Sequence, residues 1–373
     1  MVPLVVVSAI FVAAYAYVFA RLAAPFGSSA LHAAALVVSV TGPALHISAF
    51  ASQASRRRGR VTDVFAFVSY VLMGLFAYLF VLSVARDVVL LVARAFVDDI
   101  GPAFVVGNAA VVVLSLAATG AGFVFARAVP HVRDVTVPIA DLPDALVGFT
   151  LAQLTDVHVG ATIKRGFIER VVERTNAIGA DVIAITGDLI DGSVEDLLHD
   201  VAPLADLRAR HGVFYVTGNH EYYSGALPWV RHVASLGIEP LLNAHRVLAH
   251  DGETIVVAGV PDETAAMFVP DHACSPARAL EGAPNAPTVL LAHQPRSVRH
   301  VKGERVDLML AGHTHGGQFW PWTLFVPLQQ PYVQGLVRHA SSWVYTSRGT
   351  GYWGPPLRLF APSEITRIRL VRA

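Results

Sequence analysis

Two textures of hydrophobic patterning divide this chain. In its first third the apolar positions run almost unbroken, in four stretches at Val2 to Ala20, Leu31 to Ala51, Val64 to Val84 and Ala103 to Ala126. Each reaches or approaches the roughly 20 residues that an α-helix needs to cross a hydrocarbon core. They predict four membrane helices. The first has no basic segment ahead of it and is longer than the apolar part of a secretory signal, so it reads as a retained anchor. The second carries Pro43, His32 and His46; a bundle tolerates the proline, and the imidazoles are expected to face protein.

From about Val135 the pattern shortens. Pro138 and Pro143 punctuate a connecting stretch, after which short β-rich runs alternate with polar, helix-compatible segments. Strands are expected at Leu146 to Leu154, Val182 to Ile185, Val213 to Val216, Thr254 to Gly259, Val289 to Ala292 and Leu308 to Ala311, and an amphipathic helix at Arg165 to Ile178. The expected division is a four-helix transmembrane domain at 1–130, a linker at 131–145 and an α/β domain at 146–373, long enough to bury a full core. No internal repeat is visible.

Composition agrees with a chain partly in lipid: 54% of residues are hydrophobic and only 15% charged. The formal net charge of 0 offers nothing to neutralise a phosphate backbone, so no nucleic-acid partner is expected. Cys274 is the single cysteine, which excludes an intramolecular disulfide, and it lies beside Pro276 away from the histidine motifs, so it is not read as a nucleophile. The chain lacks a Gly-x-x-x-x-Gly-Lys loop, which disfavours a kinase or a nucleotide-driven motor. Arg56, Arg57, Arg58 and Arg60 between the second and third runs predict a cytoplasmic loop, against a weaker opposing loop with Arg86 and Arg94 beside Asp87, Asp98 and Asp99. Four spans then leave both termini and the C-terminal domain in the cytoplasm.

The chemistry sits where the short strands end. Asp156 and His158 follow the first, Gly187, Asp188 and Asp191 the second, and Gly218, Asn219, His220 and Glu221 the third; His293 follows the fourth, and Gly312, His313, His315, Gly316 and Gly317 the fifth. In α/β sheets the carboxyl ends of strands converge on one crevice. Imidazoles, carboxylates and no thiolate suit Mn, Fe or Zn better than Ca or Mg. A pair of such cations needs a bridging carboxylate, for which Asp188 is the natural choice. The Asp156-x-His158 and His313-x-His315 spacing aims both side chains of each pair the same way in extended backbone. His199, His211, His232, His245, His250, His272, His300 and His339 follow no ligand spacing and are read as surface or capping residues.

In that order these motifs resemble the calcineurin-like metallophosphoesterase superfamily, and more narrowly its membrane-anchored bacterial branch with Asn219-His220-Glu221 and Gly312-His313-Thr314-His315-Gly316-Gly317-Gln318. The turn Ser347 to Gly351 followed by Pro356, Leu357 and Arg358 is similar to that branch's C-terminal strand pair. The resemblance covers Leu146 to the C-terminus. It implies a sandwich of two mixed sheets flanked by helices, two divalent metal ions, and a phosphoric ester or anhydride hydrolase. Asp156, His158 and His315 would bind the first ion, Asn219, His293 and His313 the second, and Asp188 both. It implies that His220 stabilises the transition state or protonates the leaving group with Asp191 as its orienter, the alternative for Asp191 being a helix N-cap. It further implies a multi-pass protein of a bacterial inner membrane.

Phe319, Trp320, Pro321, Trp322, Thr323, Leu324, Phe325, Val326 and Pro327 follow the last ligands directly, too Pro-broken for one regular buried strand. Tryptophans favour the membrane interface, and four anchoring spans hold the domain at the bilayer. The expected partners are therefore the lipid bilayer and a phosphorylated or lipid-linked substrate, such as a UDP-diacylglucosamine-type pyrophosphate. The rival reading is a transporter or sensor whose soluble domain binds a ligand without turnover, disfavoured by the few ionisable residues in the spans.

Overall fold

The computed structural model of this protein describes residues 2–53 and 59–373. It separates into two compact units, residues up to Val124 with Gly354–Leu357, and Phe125–Trp353 with Arg358–Ala373.

The first unit is helical. α1 (Val2–Ala23), α2 (Ser29–Gln53), α3 (Arg60–Ala93) and α4 (Gly101–Arg127) are each long and apolar enough to cross a membrane. Buried His46 of α2 does face protein: its Nε2 is 2.5 Å from the Tyr15 hydroxyl and its Nδ1 3.0 Å from Ser69 Oγ. His32 does not; it is exposed and turns a ring nitrogen to the Ser28 carbonyl at 2.8 Å. The third run extends well past Val84, so Arg86 and Asp87 lie on α3 and not in a loop. The chain can keep them there because they are paired. Arg86 donates to Asp87 at 2.8 Å and to Asn108, while Asp87 also accepts from Tyr17 at 2.8 Å and Arg21 at 2.9 Å. The spans therefore carry more ionisable groups than their apolar texture implied. Of the arginines that predicted orientation, Arg60 opens α3, while Arg56, Arg57 and Arg58 lie outside the described residues.

The second unit contains β1 (His131–Ile139), β2 (Thr150–Leu154), α5 (Arg165–Asn176), β3 (Val182–Thr186), α6 (Val194–Val201), β4 (Val213–Val216), α7 (Asn219–Ser224), α8 (Ala226–Ser235), β5 (Glu239–Pro240), β6 (Ala244–His250), β7 (Glu253–Gly259), α9 (Pro276–Ala279), β8 (Thr288–Leu291), β9 (Leu308–Ala311), β10 (Gly335–His339), β11 (Ser342–Thr346) and β12 (Glu364–Arg372). They form two mixed six-stranded sheets, ordered β1-β12-β2-β3-β4-β5 and β10-β11-β9-β8-β7-β6. The central strands β2, β3 and β4 run parallel, as do β7, β8, β9 and β11.

The two-residue period of the strands builds the layers. Val182, Ala184, Phe214 and Val216 point between the sheets, where they meet Val257, Val289, Leu291, Leu308 and Leu310. Ile183, Ile185, Val213 and Tyr215 point the other way, onto Ile168 and Val171 of α5, Leu197 of α6 and Trp229 of α8. The stretch expected as a linker is part of this fold: β1 pairs in parallel with β12 from His131↔Glu364 to Ile139↔Arg372. Pro138 hid the strand in the sequence, yet an edge position such as β1 accommodates a residue without an N–H. The strand expected from Leu146 starts only at Thr150, since Asp144–Leu146 form a 3₁₀ turn and Gly148 takes φ 94°.

Candidate metal centre

Five strands of the two sheets end at one place. β2 leads into Asp156 and His158, β3 into Asp188, β4 through Gly218 into α7, β8 into His293, and β9 into His313 and His315. Parallel strands exit their sheet on the same side, which is why residues from 156 to 315 converge. Asp156, His158, Asp188, His313 and His315 have φ of 52°, 55°, 50°, 68° and 51°, in the left-handed region that side chains with a Cβ avoid. The surrounding glycines are compulsory on steric grounds. A Cβ on Gly218 would lie 2.1 Å from Asp188 Oδ1, and one on Gly312 would lie 2.2 Å from Asp156 Oδ2.

Six of the seven expected ligands fall into two groups, and Asp188 reaches from one to the other. Asp156, His158 and His315 make the first: the two Nε2 atoms are 3.1 Å apart, and His315 Nε2 is 3.5 Å from Asp156 Oδ1. Asp188, His293 and His313 make the second, with His293 Nε2 3.1 Å from Asp188 Oδ2 and 3.2 Å from His313 Nδ1. The same Asp188 oxygen is 3.8 Å from His158 Nε2, so it reaches both groups. Asn219 is buried, and its Oδ1 has no hydrogen-bond partner. A buried amide oxygen without a donor is costly unless a cation takes its lone pairs. That orphan, with the nitrogen and oxygen donors around Asp188, fits a divalent metal pair.

Electrostatics in the centre show what a cation would relieve. Burial alone would raise the Asp188 carboxyl, but His293 and His220 hold it well below the usual range. Burial would lower His293, and Asp188 instead drives it well above the usual imidazole range. Without metal, His293 thus keeps a proton against Asp188. Burial raises Asp156, reinforced by Asp188, lowers His313 to about 3, and with Arg358 holds His315 well below the usual imidazole range.

His220 and Asp191 adjoin both groups. Asp191 Oδ1 lies 2.5 Å from His220 Nδ1 and its Oδ2 3.2 Å from His158 Nδ1, so one carboxylate orients two imidazoles. It is not a helix cap, because Ser193 caps α6 by accepting from the Asp196 N–H. Against the effect of burial, Asp188 and Asp191 raise His220 to about 9. His220 Nε2 stands 3.9 Å from Asp188 Oδ2 and its ring meets Tyr223 and Trp353 edge-on.

Two residues matter here that ligand spacing did not single out. Glu221 is fully buried and accepts the N–H groups of Gly218 at 2.6 Å, Leu189 at 2.7 Å and Asp188 at 3.0 Å, locking the β3 and β4 exits together. Its signal was the capping-box position three residues after Gly218. Arg358, also buried, donates to the carbonyls of His315 at 2.9 Å, Arg348 at 2.6 Å and Ala361 at 3.2 Å, and its Nη2 is 3.1 Å from His315 Nδ1. Nothing in the local pattern marks it. The half-buried Cys274 thiol is pushed up to about 12 by burial, consistent with no nucleophilic role.

Residues 149–317 match the family model for the calcineurin-like phosphoesterases. A Danio rerio protein named "Transmembrane protein with metallophosphoesterase domain" is 39% identical over 68% of this chain and 60% of its own length. An "Uncharacterized metallophosphoesterase" of Helicobacter pylori is 39% identical over 67% of this chain and 66% of its own. The chain thus spans about three-fifths to two-thirds of these relatives. Among solved structures, a 5′-nucleotidase precursor from Thermus thermophilus is similar with a TM-score of 0.38 and 15% identity, over 60% of this chain and 54% of that one.

Proposed function

The chain carries a calcineurin-like phosphoesterase domain behind four helices apolar enough to span a membrane, and from that premise we propose that it hydrolyses phosphoester or pyrophosphate bonds at the centre around Asp188. The observation that carries the reading is a single buried carboxylate within reach of two ligand groups, next to an Asn219 Oδ1 that no protein donor satisfies. In this reading Asp156, His158 and His315 hold one divalent ion, Asn219, His293 and His313 the other, and Asp188 serves both. Bound there, two such ions supply an activated water and neutralise charge on the phosphoryl group. Their identity is proposed as Mn, Fe or Zn from the mixed nitrogen and oxygen donors.

The chain's own residues supply the rest. Asp191 holds His220 through Nδ1, leaving Nε2 to face the centre. The negative field of Asp188 and Asp191 keeps a proton on that ring, so His220 is suited to donate it to the departing oxygen. Glu221 and Arg358 act through backbone, fixing the loops that present Asp188, Asn219 and His315.

For substrate, we propose a lipid-attached phosphoester or pyrophosphate, such as a nucleotide-linked acylated sugar. The support is the surface beside the centre. Trp320, Trp322, Leu324, Phe325 and Leu328 are exposed, in and beside two 3₁₀ turns, the first of which donates to the ligand loop from Thr323 Oγ1 to the Gly316 carbonyl at 2.9 Å. Apolar side chains gathered at a rim favour an acyl chain or the bilayer. We also propose that the domain faces the cytoplasm of a bacterial inner membrane, on the bias of Arg56, Arg57, Arg58 and Arg60. The test is turnover by the full chain in detergent with added Mn or Zn, against a chromogenic phosphodiester, phosphomonoesters, nucleotides and a lipid-linked pyrophosphate. No hydrolysis of any member with any of these metals would leave a ligand-binding sensor as the better reading.

A further inference from the structure

The end of the sandwich opposite the candidate centre holds a second meeting of histidines. Asp181 immediately precedes β3, His211 precedes β4 and His250 ends β6, so residues far apart in sequence meet where the parallel strands begin. His211 Nε2 is 2.9 Å from His250 Nδ1, and that nitrogen is 3.8 Å from Asp181 Oδ1. All three donor atoms lie within 4.8 Å of one another.

The group is held in place from outside. Asp181 Oδ2 accepts the Thr150 N–H at 2.9 Å, and the Asp181 carbonyl accepts the His211 N–H at 2.8 Å, which leaves Oδ1 turned to the imidazoles. The Phe149 ring stacks on His211 and meets His250 edge-on at 5.0 Å between centroids, fixing both ring planes. His250 Nε2 faces Asp251 Oδ2 at 3.5 Å, the arrangement in which a carboxylate orients a metal-bound histidine through its far nitrogen. Arg210 donates through Nη2 to Asp251 at 2.6 Å, and its Nη1 also lies 3.5 Å from His250 Nε2. Two carboxylates against one guanidinium leave a net negative charge around two imidazoles. His250 is buried, while Asp181 and His211 are half-buried, so the position is open to a small ion.

We propose that Asp181, His211 and His250 form a divalent-cation site of the zinc class, separate from the candidate centre. Ligand atoms around a tetrahedral zinc, with bonds of about 2.0–2.1 Å, stand about 3.3 Å apart, and the spacings here bracket that value. Water completes the fourth position. Binding replaces the proton shared by the two rings and releases it. Because Asp181 and His211 enter strands of one sheet and His250 leaves a strand of the other, the ion ties the two sheets together at that end.

The test counts ions on tag-free full-length protein in detergent, stripped with chelator, loaded with zinc, desalted and analysed by mass spectrometry. The wild type is expected to carry one more zinc per chain than His211→Gln/His250→Gln, and Asp181→Asn, which keeps an acceptor for Thr150, should lose the same ion. Zinc should raise the unfolding midpoint of the wild type by more than that of His211→Gln/His250→Gln. Equal zinc counts in wild type and both variants overturn the proposal. The outcome is independent of the catalytic reading: if the centre around Asp188 binds nothing, the counts become one and zero, and the difference stands.

Discussion

Replacing Glu221 with glutamine isolates how backbone positioning contributes to cation binding. The substitution keeps shape and volume in a site with no exposure, and removes only charge and one acceptor. In the metal-free protein burial and Asp188 push the Glu221 carboxyl to about 7. Near neutral pH it already carries a proton for much of the time, and glutamine mimics that form at little cost. Cations that neutralise Asp188 remove the repulsion, and the carboxylate then accepts all three N–H groups fully ionised. A glutamine oxygen can serve Gly218 and Asp188, but its NH₂ would confront the Leu189 N–H, now 2.7 Å from the carboxylate. One orphaned buried donor costs about 1–3 kcal/mol and the weakening of the other two bonds about 1 kcal/mol more. The penalty of about 2–4 kcal/mol falls on the loaded state, so cation affinity should drop roughly 30- to 1,000-fold. Calorimetric titration of stripped full-length protein with Mn or Zn measures this, and chemical unfolding of the metal-free protein supplies the control. Affinity within threefold of wild type would refute the reasoning, as would a metal-free protein destabilised as much as the loaded one.

Further outcomes follow from the same geometry. Asp188→Asn removes the carboxylate shared by both groups, so bound cations at the centre should fall by at least one per chain and turnover below a tenth, read by metal analysis and phosphodiester hydrolysis. His220→Ala should keep the metal content and slow turnover by about 10²–10⁴, the usual size of a proton-transfer contribution; loss of metal would make His220 a ligand instead. Because His293 holds a proton against Asp188 and must release it to bind, cation affinity at the Asn219 side should fall about tenfold per unit as pH drops below that raised pKa. A pH-independent affinity would show that His293 is not displaced from Asp188. Trp320→Ser with Trp322→Ser should slow hydrolysis of a micellar lipid pyrophosphate while sparing a small soluble phosphodiester; equal effects on both would remove the argument for a lipid substrate.

The sequence made the architecture readable where pattern and chemistry coincide. β3, β4, β8 and β9 are short runs with apolar residues on both faces, buried on both sides as parallel central strands are, and each ends in a Gly, His or Asp that marks the exit. β6, β10 and β12 carry charges on their exposed faces, as in Arg246, Arg338 and Arg369, so no apolar run announced them; β6 and β10 pair in hairpins with β7 and β11, while the partners of β12, β1 and β2, are distant in sequence. The extent of α3 was missed for a related reason. Arg86 and Asp87 look like the end of an apolar run until Tyr17, Arg21 and Asn108 from two other helices are seen to satisfy them. Glu221 and Arg358 stood in their motifs without a role because they serve carbonyls and amides, which have no side-chain signature, and His211 and His250 read as surface or capping residues because their spacing reflects neither helix nor strand.

The positive φ angles explain why this centre needs the whole sandwich behind it. Five candidate ligands in left-handed backbone cost about 1–2 kcal/mol each, together about 5–10 kcal/mol, the order of a domain's entire stability. The strain is held because the ligand loops extend the sheet beyond its strands. The Asp156 N–H donates to the Gly187 carbonyl at 3.0 Å, His158 to Asp188 at 3.1 Å and Val159 to Leu189 at 2.9 Å, while Thr350 and Gly351 donate to the Thr155 and Asp156 carbonyls at 2.8 and 2.9 Å. Each turn that misplaces its own backbone is thereby pinned to the neighbouring turn, and the glycines at 218 and 312 let those turns approach to contact. Bound cations would recover part of the strain, since the same conformations that cost energy aim the ligands inward. The carboxyl-end loops are therefore the part of the domain whose order depends most on metal, and the β-sheet core beneath them the part that depends least.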